Sequence, residues 1–215
     1  MNKQAVIFDM DGVITDSEPL YSEAVNLVLA KAGASLTDED HRAIMGSSID
    51  FTWQYVIDRF GLEGTLEDWK PSYDHAVVEL LSSNVIASDG LGWLLNALKS
   101  LGIRIGLATS SQRNWVEAVL SRLAVTDAFD AIATTEMVEQ AKPAPDVYLL
   151  AATKLGIGPE RCIAIEDTPR GIASAKSAGM FVIAVRTGST AQMDVSAADQ
   201  VIDNLGHFEM DWLSG

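Results

Sequence analysis

Cysteine is almost absent from this chain of 215 residues: Cys162 is its only thiol, so no internal disulfide can form, and a reducing, cytoplasmic setting is expected. Histidine is nearly as scarce. His41, His75 and His207 stand far apart, and with one cysteine they give no zinc-type ligand spacing. Cations are short as well, 15 Lys and Arg against 30 Asp and Glu, for a net charge of −15. That balance argues against nucleic-acid backbones and anionic membranes as partners. An anionic substrate would then have to be met by local positive groups: a metal, a lysine, or backbone N–H groups. Long apolar runs are also missing. The run at residues 5–8 is far too short for an export signal or a membrane span, so neither is expected. No internal repeat, low-complexity tract or long linker breaks the chain.

What is present is ample apolar content, 48%, enough for one well-buried core with room for an insertion. Residues 5–8 read as a strand ending at Asp9. Four helical segments follow with no strand signal among them. Ser17, Glu18 and Pro19 start the first, and Gly33 stops it. Thr37 with Asp40 approximates a capping box for the second, which Gly46 closes. Residues 49–60 have apolar spacing of three and four and end at Gly61. The fourth runs over about 65–81, with a break or restart expected at Pro71.

From about Val85 the pattern changes. Strand-like runs at 103–108, 131–134, 162–165 and 181–185 alternate with helical segments near 91–101, 114–123, 146–155 and 169–178. This alternation predicts an α/β fold, a doubly wound parallel sheet of Rossmann-like type that also takes in the first strand. Residues 1–15 and 84–215 are then the α/β core, and residues 16–83 an inserted helical-bundle cap domain.

In such a sheet, ligands gather beyond the carboxyl ends of the strands. Asp9 and Asp11 follow the first strand, Thr109 and Ser110 the second, and Glu166 and Asp167 the strand at 162–165, while Lys142 lies in a loop ahead of a helix begun by Pro145 or Asp146. Each group alone has an ordinary reading. The aspartates suit a turn, Thr109 and Ser110 a helix cap, Glu166 and Asp167 the start of the next helix, and Lys142 a solvated loop. Their convergence on one edge is the stronger signal. Carboxylates in proximity offer hard oxygen ligands for Mg²⁺, and a carboxylate can attack phosphorus to form an acyl phosphate. A second carboxylate can protonate the leaving oxygen, and a hydroxyl and an ammonium can hold the remaining oxygens.

The segments Asp9-Met10-Asp11-Gly12-Val13, Leu107-Ala108-Thr109-Ser110-Ser111, Lys142-Pro143-Ala144-Pro145-Asp146 and Glu166-Asp167-Thr168-Pro169-Arg170-Gly171 resemble, in order, the four motifs of the haloacid dehalogenase-like hydrolase superfamily. The helical insertion after the first motif resembles that family's cap, and within the family the chain resembles the β-phosphoglucomutase and sugar-phosphatase group. The resemblance implies that Asp9 is nucleophile and metal ligand, and that Asp11 is general acid and base with its backbone carbonyl on the metal. It implies that Thr109 and the Ser110 backbone bind the phosphoryl group and that Lys142 balances charge. Asp167 would complete the Mg²⁺ site, with Glu166 either a direct ligand or a partner behind one. The implied activity is a phosphatase acting on a small phosphorylated metabolite, expected as a monomer.

Three rival activities are set against it. A dehalogenase has no need of Asp11 or the Glu166-Asp167 pair, and a phospho-aspartate receiver carries its acceptor mid-chain. A phosphomutase shares the whole catalytic set, but Tyr21 stands where β-phosphoglucomutases have a histidine and Ile49 where they have a phosphate-binding arginine. Hydrolysis is therefore the expectation.

Overall fold

The structure, a computed structural model, describes residues 2–44 and 47–214. The chain divides into two compact units, one of Met1–Asp16 with Val85–Gly215 and one of Ser17–Asn84. No helix among the described residues is long and apolar enough to cross a membrane.

Residues Ser17–Asn84 hold the helices α1 (Glu18–Leu29), α2 (Asp38–Ile44), α3 (Ile49–Phe60) and α4 (Leu66–Asn84). Pro19 sits in the first turn of α1, where no backbone N–H is needed. Before α2, the Thr37 N–H donates to Asp40 (2.9 Å) and the Asp40 N–H to the Thr37 hydroxyl (3.3 Å), the reciprocal pairing expected of a capping box. Gly46, expected to close that helix, lies outside the described residues. The break expected at Pro71 does not occur: α4 runs through it. Pro71 is only the sixth residue of the helix, so a single early hydrogen bond is lost, and packing against α1 sustains the rest. Trp53 is fully buried here, stacked on Trp69 at 5.9 Å and meeting Tyr73 edge-on at 5.6 Å, so these aromatics pack the bundle. The Asp40 carboxylate is the polar centre of this unit, accepting from the Thr37 hydroxyl, the Tyr55 hydroxyl (2.7 Å) and Arg59 (3.0 Å).

The other unit is built on six parallel strands, β1 (Ala5–Phe8), β2 (Arg104–Thr109), β3 (Ala131–Thr134), β4 (Cys162–Glu166), β5 (Phe181–Val185) and β6 (Gln200–Ile202), in the spatial order β3-β2-β1-β4-β5-β6. Helices α5 (Leu91–Ser100), α6 (Arg113–Arg122), α7 (Asp146–Leu155) and α8 (Pro169–Ser177) connect them. This is the doubly wound α/β architecture. β1 and β4 are buried throughout, as continuous apolar runs must be when helices cover both faces. Alanines at 108, 133, 151, 164 and 175 let the helices lie close to the sheet, and Cys162 behaves as another small apolar residue in this core. β6 is an addition to the expected strands: three residues long and half exposed at the sheet edge, it carries no apolar run to announce it.

Candidate active site

The winding of the sheet reverses between β1 and β4. From β1 the chain steps outward to β2 and β3, then returns to lay β4 against the other side of β1. The carboxyl ends of the strands at such a reversal are the usual ligand position in this architecture. Asp9 is the first residue beyond β1, and its N–H still donates to the Ile165 carbonyl of β4 at 2.9 Å, which fixes its place. Glu166 ends β4, and Asp167 follows it.

Glycine makes room for these carboxylates at two points, once between the two loops and once within the β4–α8 connection. Gly12 has φ 78°, and a Cβ there would strike the Asp167 carboxylate. At Gly171 a Cβ would strike the carboxylate of Glu166. Gly171 belongs to the first turn of α8, where its N–H donates to the Thr168 hydroxyl at 3.1 Å in an N-cap.

Lys142 joins the two halves of the site. Only 6% exposed, it places its ammonium 2.8 Å from Asp9 Oδ1, 2.6 Å from Glu166 Oε1 and 3.0 Å from the Ala108 carbonyl, so all three N–H donors are used. Its loop is tied to α8, where Arg170 donates to the Lys142 carbonyl (2.7 Å) and Ser174 to the Ala144 carbonyl (2.5 Å). The solvated-loop reading of this lysine is thereby excluded. Glu166 is engaged on both oxygens: Oε1 also accepts from Tyr148 (2.8 Å), and Oε2 accepts from the N–H groups of Asp167 and Thr168 and from the Thr168 hydroxyl.

Thr109 is fully buried at the end of β2, and its hydroxyl accepts from the Ser111 N–H at 3.0 Å. Ser111 in turn donates to Asp11 Oδ2 at 2.6 Å, so the half-buried Asp11 is oriented by a hydroxyl from the β2 loop. Ser110, between them, is exposed.

Asp9, Glu166 and Asp167 each offer an oxygen within 4.8 Å of the others, and all three are buried. Burial pushes the Asp9 carboxyl up; Lys142 opposes the shift, while Glu166 and Asp11 reinforce it. Asp167 is raised for the same first reason, with Glu166 and Asp9 adding to it. Burial alone would lower Lys142, yet Asp9 and Glu166 outweigh it and hold the ammonium well above its ordinary range. One ammonium thus faces three carboxylates, and Asp167 Oδ1 is buried without a hydrogen-bond partner among the described residues. An all-oxygen donor set that is short of positive charge suits a hard divalent cation.

Three further contacts carry side chains that the motif reading gave no role. Tyr148 is fully buried under Lys142, with the ammonium 4.9 Å from its ring centre. In α7 it reads from sequence as one more core aromatic. Thr190 donates to Asp167 Oδ2 at 2.7 Å, and the Thr187 hydroxyl donates to the Gly12 carbonyl. Both stand just beyond β5, so the rule that found polar residues at strand ends reaches them when applied to that strand.

The chain is similar to known proteins in sequence and in fold. A family model described as haloacid dehalogenase-like hydrolase matches residues 6–185. The chain is 34% identical to a phosphorylated carbohydrates phosphatase of Thermotoga maritima, over 82% of each chain. It is also 34% identical to a beta-phosphoglucomutase of Bacillus subtilis, over 86% of this chain and 84% of the other. Among solved structures, CbbY from Rhodobacter sphaeroides in complex with phosphate superposes with a TM-score of 0.88, at 26% identity and over the whole of both chains.

Proposed function

The chain belongs to the haloacid dehalogenase-like hydrolase family, and from that membership we propose that it is a Mg²⁺-dependent phosphatase of small phosphorylated metabolites, sugar phosphates first among them. The observation that carries the reading is the buried Asp9–Lys142–Glu166 chain at the reversal point of the sheet, with Asp167 beside it.

In this reading Lys142 occupies Asp9 Oδ1 and Oδ2 is the attacking oxygen. Oδ2 forms a bond to phosphorus, the bond from phosphorus to the sugar oxygen breaks, and that oxygen takes the proton of Asp11. Ser111 aims Asp11 for this transfer. In the second half, Asp11 removes a proton from water as the water oxygen attacks phosphorus. The bond to Asp9 then breaks, leaving inorganic phosphate and a regenerated carboxylate. Lys142, whose donors are engaged by the protein, balances the charge of the phosphoryl group, and the Thr109 hydroxyl holds its non-bridging oxygens, with the backbone at Ser110 as a further donor.

Asp9, Asp167 and the backbone carbonyl of Asp11 are the groups assigned to hold Mg²⁺. When bound, the ion offsets the repulsion between the nucleophile and an anionic phosphate. Glu166 has both oxygens engaged by protein donors, which supports a place behind the ligands, fixing Lys142.

The mutase alternative draws on the likeness to beta-phosphoglucomutase. A mutase must grip a second, remote phosphate with cationic groups. Position 49, at the start of α3, is isoleucine, and the nearby Lys70 is neutralised by Asp50 at 2.8 Å and Glu67 at 3.3 Å. Those pairings favour water as the acceptor. The proposal extends to a cytoplasmic monomer with neither nucleic acid nor membrane as partner.

The test is phosphate release from a panel of sugar monophosphates. Release is expected with Mg²⁺, none in EDTA, and recovery on adding Mg²⁺ back. Conversion of β-glucose 1-phosphate to glucose 6-phosphate faster than phosphate appears would overturn the hydrolase reading, and full activity in EDTA would overturn the metal assignment.

A further inference from the structure

The turn after β5 commits three hydroxyls to one side of the sheet. Thr187 donates to the Gly12 carbonyl in the loop after β1. Ser189 donates to Asp16 through its hydroxyl (3.0 Å) and its N–H (3.2 Å). Thr190, 5% exposed, donates to Asp167 Oδ2 at 2.7 Å; its other neighbour, the Thr187 carbonyl, is farther at 3.2 Å. A hydroxyl has one proton to give, and the closer, charged acceptor takes it.

Both neighbours act on Asp167 Oδ2: a Cβ at Gly12 would strike it, and the Thr190 hydroxyl donates to it. Thr187 ties the Gly12 carbonyl to the same turn. A carboxylate rotates freely about its last torsion unless something stops it. With Oδ2 taken, Oδ1, which has no hydrogen-bond partner among the described residues, is the oxygen left for a cation.

We propose that Thr190 is the positioning residue of the metal site: its hydroxyl locks the rotation of Asp167 so that Oδ1 faces the cation, which makes the Thr187–Thr190 turn a working part of that site. The inference rests on the reading of Asp167 as a ligand. Partners placed behind metal ligands commonly carry 10- to 100-fold of metal affinity, by order of magnitude.

The test is Mn²⁺ binding to the full-length protein without substrate, read as free Mn²⁺ by electron paramagnetic resonance, with Mg²⁺ competition by calorimetry. Thr190→Val, nearly isosteric, is expected to weaken Mn²⁺ binding by about 10-fold or more. Thr190→Ser, which keeps the hydroxyl and drops a methyl, is expected to bind as the parent does. Asp167→Asn is the control and should lose the site. If Thr190→Val binds like the parent while Asp167→Asn fails, the positioning role is wrong and the metal reading stands. If Asp167→Asn binds like the parent, the metal reading itself falls. If Thr190→Ser weakens binding as much as Thr190→Val, packing and not the hydroxyl is what matters, and the proposal is overturned.

Discussion

Replacing Lys142 with methionine removes a charge and keeps most of the side-chain volume. Three hydrogen bonds go with it: to Asp9 at 2.8 Å, to Glu166 at 2.6 Å and to the Ala108 carbonyl at 3.0 Å. Glu166 keeps Tyr148 and the N–H groups beside it, whereas Asp9 loses its one strong counter-charge. Removing one partner of a buried ion pair costs about 3–5 kcal/mol. For a chain of this size that is a Tm drop on the order of 10 °C.

The loss should depend on pH. Burial already raises the Asp9 carboxyl, and without the ammonium it rises further. A carboxyl whose folded pKa lies above its unfolded value penalises folding once the pH exceeds the unfolded value, and the penalty grows until the pH passes the folded one. Lys142→Met should therefore be most destabilised near pH 8 and approach the parent toward about pH 5, well below the folded value of about 7, where Asp9 is protonated in the folded state of both proteins. Adding Asp9→Asn should recover much of the loss at pH 8. The assay is thermal unfolding in EDTA across that range. A drop of equal size at every pH would mean that the hydrogen bonds to Glu166 and the Ala108 carbonyl, and not the charge beside Asp9, support the fold. No drop at all would refute the ion-pair account.

Asp11→Asn should slow turnover of sugar phosphates by about 10²–10⁴, and formation of the phospho-enzyme should slow far less with 4-nitrophenyl phosphate, whose leaving group needs no proton; equal slowing would remove Asp11 as the acid. In the helical unit, Thr37 leads Tyr55 and Arg59 in holding Asp40 well below the usual carboxylate range. A depressed carboxyl contributes stability above its unfolded pKa and loses it as the pH falls through the folded one. Unfolding followed by Trp fluorescence should therefore show an acid-side loss of stability that Asp40→Asn flattens, and an unchanged acid limb would count against the network.

The α/β alternation was legible because β1 and β4 are unbroken apolar runs and Asp9 and Glu166 stand where those runs end. Residues that depend on distant partners were not. Lys142 before a proline looks solvated, and only the packing of its loop on α8 buries it. Ser111 meets Asp11 across 100 positions of sequence, and Tyr148 has the spacing of a core residue. β6 is too short and too exposed for a periodicity to register. Pro71 misled in the opposite direction, since one lost bond near a helix start weighs less than the packing of the remaining turns.

The central claim is that phosphorus is transferred to Asp9. Reduction with borohydride during turnover converts an aspartyl phosphate to homoserine, which peptide mass spectrometry can locate. The account predicts homoserine at position 9, dependent on substrate and Mg²⁺, and none in Asp9→Asn. Homoserine at another acidic residue, or none while phosphate is released at the full rate, would contradict it.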